Sequence, residues 1–314
     1  MNVRSAAAGA GAMLRPAPVL ALVLGAYLGI SGCASQRTPP CGINVVPLVF
    51  TEIAEHGWRE PVSGEYGGVA VPAGLVGGPE GRVGYLAMDT GSALTFLYLG
   101  REGQRYVERA GRVEIGCETL DLPGRNFEED DDRGIGIIGV LGADYLLGAP
   151  SVFDPRGGLI TRYPVDIGAQ PGSRAIDGIV TVAEVPFENV GGHIIVTVRV
   201  DGRDLRLMWD TGCPHLLWLG ETGRLGDEEH TGQDVEGGQF PMYFGSATLE
   251  LAGEAPEAVP ALRVPRFPYY EGTVESLGGN IQGLAGQSVF GRRLMVFDTA
   301  RGVIRLGARD ALHD

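Results

Sequence analysis

Two short segments carry side chains that could do chemistry together: Asp89-Thr90-Gly91-Ser92 and Asp210-Thr211-Gly212-Cys213. The second follows the first by 121 positions (210 − 89). Each sets one carboxylate between apolar runs, Leu86-Ala87-Met88 before the first and Leu207-Met208-Trp209 before the second. An ionised Asp is seldom buried unless something holds its charge. Gly permits a tight turn whose backbone N–H groups face the carboxylate, and Thr offers a hydroxyl able to tie one loop to the other. A single Asp-Thr-Gly is ordinary turn composition. Two in one chain point to a pair of carboxylates and to acid–base chemistry.

The segments that must position these loops read as strands. Asn44–Phe50, Gly67–Val71 and Arg82–Met88 are apolar and bounded by Gly and Pro, and the last runs into the first loop. Val113–Ile115 and Thr119–Leu122 form a hairpin pattern around Gly116-Cys117. In the second half, His193–Val200, an Asp201-Gly202 turn and Leu205–Trp209 lead straight into the second loop. A further pair of segments repeats as well. Leu141-Gly142 precedes Val152-Phe153-Asp154, Ala285-Gly286 precedes Val296-Phe297-Asp298, and Gly to Asp spans 12 positions in both. Agreement at several offsets marks an internal duplication. With 51 Gly and 20 Pro spread without a period, the chain is predicted to be all-β, in two duplicated lobes. The expected divisions are a leader at 1–32, a tether at 33–42, an N-terminal lobe at 43–165, a linker at 166–183 and a C-terminal lobe at 184–310. Residues 221–239 read as a polar surface loop, and Pro260 to Tyr270, with three prolines, as an arm or cleft rim.

Several functions are disfavoured. The 25 basic and 39 acidic residues give a net charge of −14, which repels a phosphate backbone, so no nucleic-acid partner is expected. The five His and four Cys show no metal-ligand spacing, so neither metal nor cofactor is expected. Gly134-Ile135-Gly136-Ile137-Ile138-Gly139 matches the dinucleotide fingerprint literally, but the acidic run Glu128–Asp132 just before it would repel phosphate. That run itself reads as a solvated loop. Asp144 is expected to cap a short helix, and Asp154 and Asp298 to serve turns. At the N-terminus, Arg4 and Arg15 precede the apolar run Val19–Ile30, which has signal-peptide length. It ends in Ile30-Ser31-Gly32-Cys33, which resembles the lipobox of bacterial lipoproteins. The resemblance implies cleavage before Cys33, lipidation there and a membrane-anchored protein of the cell envelope, and Ala34 in the next position favours the outer membrane. An ordinary secretory signal is the alternative. With Cys33 acylated, Cys41, Cys117 and Cys213 leave at least one thiol free or paired between chains.

Taken together, the residues resemble the bilobal, pepsin-like aspartic proteases, with lobes nearer in size to the retroviral-type unit. Asp89-Thr90-Gly91-Ser92 and Asp210-Thr211-Gly212 match the two active-site loops, Leu141-Gly142 and Ala285-Gly286 the element that supports each loop, and Val152-Phe153-Asp154 and Val296-Phe297-Asp298 the strand closing each lobe. The resemblance implies two aspartic-protease-type β lobes with a cleft between them that takes a peptide or protein substrate. It implies Asp89 and Asp210 as the catalytic dyad, Thr90 and Thr211 as cross-links between the loops, Gly91 and Gly212 as their turns, and Ser92 as a donor to Asp89. Cys213 departs from the Ser or Thr of the family. No flap is evident between Ser92 and Leu141, where Tyr98 and Tyr106 read as packing residues. The activity implied is endopeptidase, and a silent, peptide-binding descendant is the rival reading.

Overall fold

The computed structural model describes residues 42–54, 57–61, 68–76, 83–99, 111–126, 136–155, 157–164, 181–219, 229–233, 239–251, 254–265, 268–290 and 293–307. The leader, Cys33, the tether up to Cys41, most of the linker, the acidic run and Tyr106 lie outside the described residues.

Alternating and fully apolar runs become strands, and the chain is all-β. The N-terminal half contains β1 (Asn44–Pro47), β2 (Val49–Ala54), β3 (Gly57–Pro61), β4 (Gly68–Leu75), β5 (Val83–Met88), β6 (Phe96–Leu99), β7 (Gly111–Ile115), β8 (Glu118–Leu122), β9 (Gly124–Asn126), β10 (Ile137–Leu141), the helix α1 (Ala143–Leu147), β11 (Ser151–Asp154) and β12 (Leu159–Arg162). The second half contains β13 (Thr181–Val190), β14 (His193–Val200), β15 (Arg203–Trp209), β16 (Leu216–Leu219), β17 (Glu229–Gln233), β18 (Gln239–Glu250), β19 (Glu257–Val264), α2 (Pro268–Ser276), β20 (Gly283–Ala285), α3 (Gln287–Phe290), β21 (Leu294–Asp298) and β22 (Val303–Gly307).

The two halves repeat one topology. The strand entering each Asp loop, β5 or β15, lies parallel to β10 or β20. The strand leaving each loop, β6 or β16, runs antiparallel to that same β10 or β20. On its other side, β6 or β16 lies parallel to β9 or β19. Each half closes with a hairpin, β11–β12 or β21–β22. The lobes are joined along the order β1-β12-β11-β21-β22-β13, where Val152 of β11 stands opposite Val296 of β21. One apolar core therefore runs through both halves, from Leu86, Met88 and Leu141 to Leu207, Trp209 and Phe297. Trp209 lies 4.7 Å from Phe297 and meets Phe290 edge-on at 6.4 Å.

The structure differs from the sequence reading at several places. The strand β13 begins at Thr181, so the linker expected over 166–183 ends earlier. The polar stretch 221–239 contains β17, an edge strand whose partner β18 supplies its hydrogen bonds irrespective of side-chain polarity. Pro260 to Val264 is the end of β19, with Ala261, Leu262 and Val264 buried, and not an arm. Pro268 opens α2, where a missing N–H costs nothing. Ile137–Leu141, the run that overlaps the dinucleotide pattern, is a wholly buried central strand.

Candidate active site

The duplicated topology brings Asp89 and Asp210 together where the lobes meet. Asp89 is 6% exposed and Asp210 is fully buried. Each carboxylate is held by its own turn: the Gly91 N–H donates to Asp89 Oδ1 at 3.0 Å and the Gly212 N–H to Asp210 Oδ1 at 2.8 Å. The glycines also face the opposite carboxylate. A Cβ on Gly91 would lie 2.8 Å from Asp210 Cγ, and one on Gly212 2.9 Å from Asp89 Oδ1. No other residue fits between the two acids.

The threonines cross-link the loops reciprocally. The Thr90 N–H donates to Thr211 Oγ1 at 3.1 Å, and the Thr211 N–H donates to Thr90 Oγ1 at 3.0 Å. Each hydroxyl then donates into the other lobe, Thr90 Oγ1 to the Trp209 carbonyl at 3.0 Å and Thr211 Oγ1 to the Met88 carbonyl at 2.9 Å. Four bonds through two buried side chains thus fix the separation of the carboxylates.

Behind each loop the chain is pinned in the same way twice. The Asp89 N–H donates to Leu141 and the Asp210 N–H to Ala285, at 3.0 and 3.1 Å. The Ala143 N–H donates to Ser92 and the Gln287 N–H to Cys213, both at 2.8 Å. Gly142 and Gly286 lie so close that a Cβ would sit 2.5 Å from the Leu94 carbonyl or 2.1 Å from the His215 carbonyl.

Two roles expected from the sequence take another form. The Ser92 hydroxyl donates to the Leu94 carbonyl at 2.8 Å, not to the Asp89 carboxylate, and Cys213 Sγ makes the equivalent bond to the His215 carbonyl at 3.2 Å. Both side chains close the turn after the loop, and a thiol can do this where it would serve a carboxylate poorly. Asp144 is not a cap. It lies inside the first turn of α1, Gly142 is the N-cap residue, and Asp144 Oδ1 accepts from Thr95 Oγ1 at 2.6 Å. Asp154 and Asp298 serve turns, accepting from the Gly157 N–H at 2.8 Å and the Arg301 N–H at 3.2 Å. Tyr98 is a packing residue, buried edge-on to Phe96 at 5.7 Å. Cys117 is disulfide-bonded, and Cys213 is a free, buried thiol whose ionisation burial suppresses.

The electrostatics set the two acids apart. Burial raises Asp89 well above the ordinary carboxylate value, and the charge of Asp210 and a hydrogen bond with it add to the rise. Burial also raises Asp210. Against this, the neighbouring Asp89 carboxyl and the backbone N–H groups of Gly212, Cys213 and Gly91 favour its charged form. Two carboxyls this close share one proton over an intermediate range of pH. Like charges this close titrate as a unit.

Two further residues touch the loops. His193, at the start of β14, is buried, and its ring donates to the Gly91 carbonyl. Gln287 Nε2 donates to the Thr211 carbonyl at 2.7 Å, from the position that Ala143 holds in the first half. Aligning the two halves exposes Gln287 as a polar substitution in the repeat. Only the folding of β14 against the first loop reveals His193. Among the described residues, no three His, Cys, Asp or Glu gather as a metal site.

A scan against models of known protein families finds no match, and no curated protein matches the chain. Among solved structures, the chain is similar to an aspartic proteinase from Irpex lacteus, with 12% identity over 85% of this chain and 97% of that one and a TM-score of 0.47.

Proposed function

We propose that this chain is an aspartic endopeptidase that hydrolyses extended peptide segments lying in the cleft between its lobes. The observation that carries this reading is the reciprocal threonine cross-link, which holds two buried carboxylates side by side, each against the glycine of the opposite loop. In the reaction, a water between the acids attacks the scissile carbonyl carbon. Asp210 takes the proton that the water gives up, and Asp89 passes its proton to the carbonyl oxygen, leaving a neutral tetrahedral diol. Asp210 then protonates the departing nitrogen as the C–N bond breaks, and Asp89 recovers a proton from a diol hydroxyl. The dyad returns to its starting state without a cofactor. The reading also places the enzyme in a bacterial cell envelope, lipid-anchored through Cys33, with the outer membrane favoured.

Two measurements test these parts separately. Hydrolysis of a fluorogenic peptide pool is expected from the wild type and absent from Asp89→Asn and Asp210→Asn. A folded wild type without activity would favour a peptide-binding role instead. In cell fractionation, Cys33→Ala is expected to leave the membrane fraction, and its retention there would refute the lipid anchor.

A further inference from the structure

Besides the carboxylates and threonines, the site holds a histidine that the second lobe buries against the first lobe's Asp89 loop. His193 follows the β13–β14 turn, Gly191-Gly192, where both glycines have positive φ, 60° and 90°. The Gly192 N–H donates to Asn189 Oδ1 at 3.0 Å, which fixes the turn. A Cβ on Gly192 would lie 2.9 Å from the Ala93 Cβ, so the turn reaches the Asp89 loop only because glycine occupies it. The approach seats the His193 ring, 5% exposed, on the Gly91 carbonyl.

That carbonyl belongs to the peptide unit whose other end is the Ser92 N–H. The Ser92 N–H donates to the Asp89 carbonyl at 3.1 Å and supports the Asp89 carboxylate. A peptide unit is planar, so holding its carbonyl sets the direction of its N–H. The adjoining Gly91 N–H reaches both acids. We propose that His193 is a positioning residue for the dyad, lent by the second lobe to the first: by gripping the Gly91 carbonyl it aims the Ser92 N–H at Asp89. This rests on the aspartic endopeptidase reading for its consequence in catalysis, but its effect on the Asp89 environment does not. The ionisable groups on the neighbouring elements include the dyad, Asp144, which accepts from Thr95, Glu184, which bonds Arg301, Glu188, which bonds Arg206, and Asp204 and Glu250, which face Arg199.

The test uses the full-length chain in detergent, with aspartate carboxyl carbons labelled for NMR and Asp89 assigned by its loss in Asp89→Asn. His193→Phe fills the space without a donor, and His193→Gln keeps one. In His193→Phe the Asp89 titration midpoint is expected to rise by about half a pH unit or more, because one backbone donor to the carboxylate is released. In His193→Gln it is expected to stay near the wild-type value. If the wild type cleaves peptides, His193→Phe should lose about tenfold or more in kcat with KM nearly constant, and His193→Gln should recover most of it. Identical titration curves in the wild type and His193→Phe would overturn the proposal, whether or not the protein is a protease. Lower thermal stability with an unchanged Asp89 midpoint would assign His193 to packing alone. If His193→Phe does not fold, His193→Asn, which shortens the donor's reach, should show the same upward midpoint.

Discussion

Asp89 and Asp210 are buried at a cost that depends on pH, and the sign follows from the direction of their shifts. Both acids are raised above the ordinary value of 3.8. Below 3.8 the folded and unfolded chains are both protonated there, so nothing is lost. As pH rises toward the folded values, the unfolded chain ionises first and stability falls. Asp89→Asn should therefore be more stable than the wild type at pH 7 and nearly equal to it at pH 3.5, measured by urea midpoint. A constant difference would contradict the raised value of the Asp89 carboxyl. His193 acts in the opposite direction. Burial lowers it from 6.5 to about 4, so its contribution is present above 6.5 and is lost as pH falls toward 4. Subtracting the His193→Phe urea midpoint from that of the wild type should expose this loss between those values. At this scale the sequence named both acids and both threonines, because Asp-Thr-Gly carries its own turn chemistry. It placed the Ser92 bond on the wrong acceptor, since a hydroxyl's partner is chosen by the turn that follows, and Leu94 and His215 present carbonyls there.

The elements that carry the loops depend on close backbone approach. Gly142 and Gly286 sit where α1 and α3 begin, against the carbonyls of the loops they support. Gly142→Ala or Gly286→Ala should destabilise the protein by about 2 kcal/mol or more, since the clash is with main chain that cannot rotate away. Gly272 provides the control. It is an exposed residue within α2 and its Cβ would meet nothing within 4 Å, so Gly272→Ala should stabilise by about 0.5–1 kcal/mol. Thermal unfolding of the three variants checks both signs. The supporting glycines were legible as a spacing shared by the two halves. The edge strand β17 was not, because Glu229 to Gln233 has no apolar alternation and owes its conformation to β18. The burial of β19 was obscured by Pro260, yet Leu262 and Val264 pack in the core beside Leu217 and Leu284.

On the scale of the whole molecule, the strand pair β11–β21 and the threonine cross-link both join the lobes. Removing either hydroxyl strands buried partners: Thr90→Val leaves the Thr211 N–H and the Trp209 carbonyl without their bonds. Each single Val substitution should cost about 2 kcal/mol or more, and the double variant less than their sum, because the four bonds form one network. Additive losses in urea denaturation would mean that the loops are held independently. The duplication let the sequence foresee two lobes. It did not reveal how fully they merge, since pairing between Val152 and Val296 is a relation between distant segments with no local signal. The most direct test of the central claim is digestion of a mixed peptide library by the full-length protein in detergent across pH 3 to 8, beside Asp89→Asn and Asp210→Asn. Cleavage by the wild type that is lost in both variants is the predicted result, and equal cleavage by either variant would contradict a catalytic pair of aspartates.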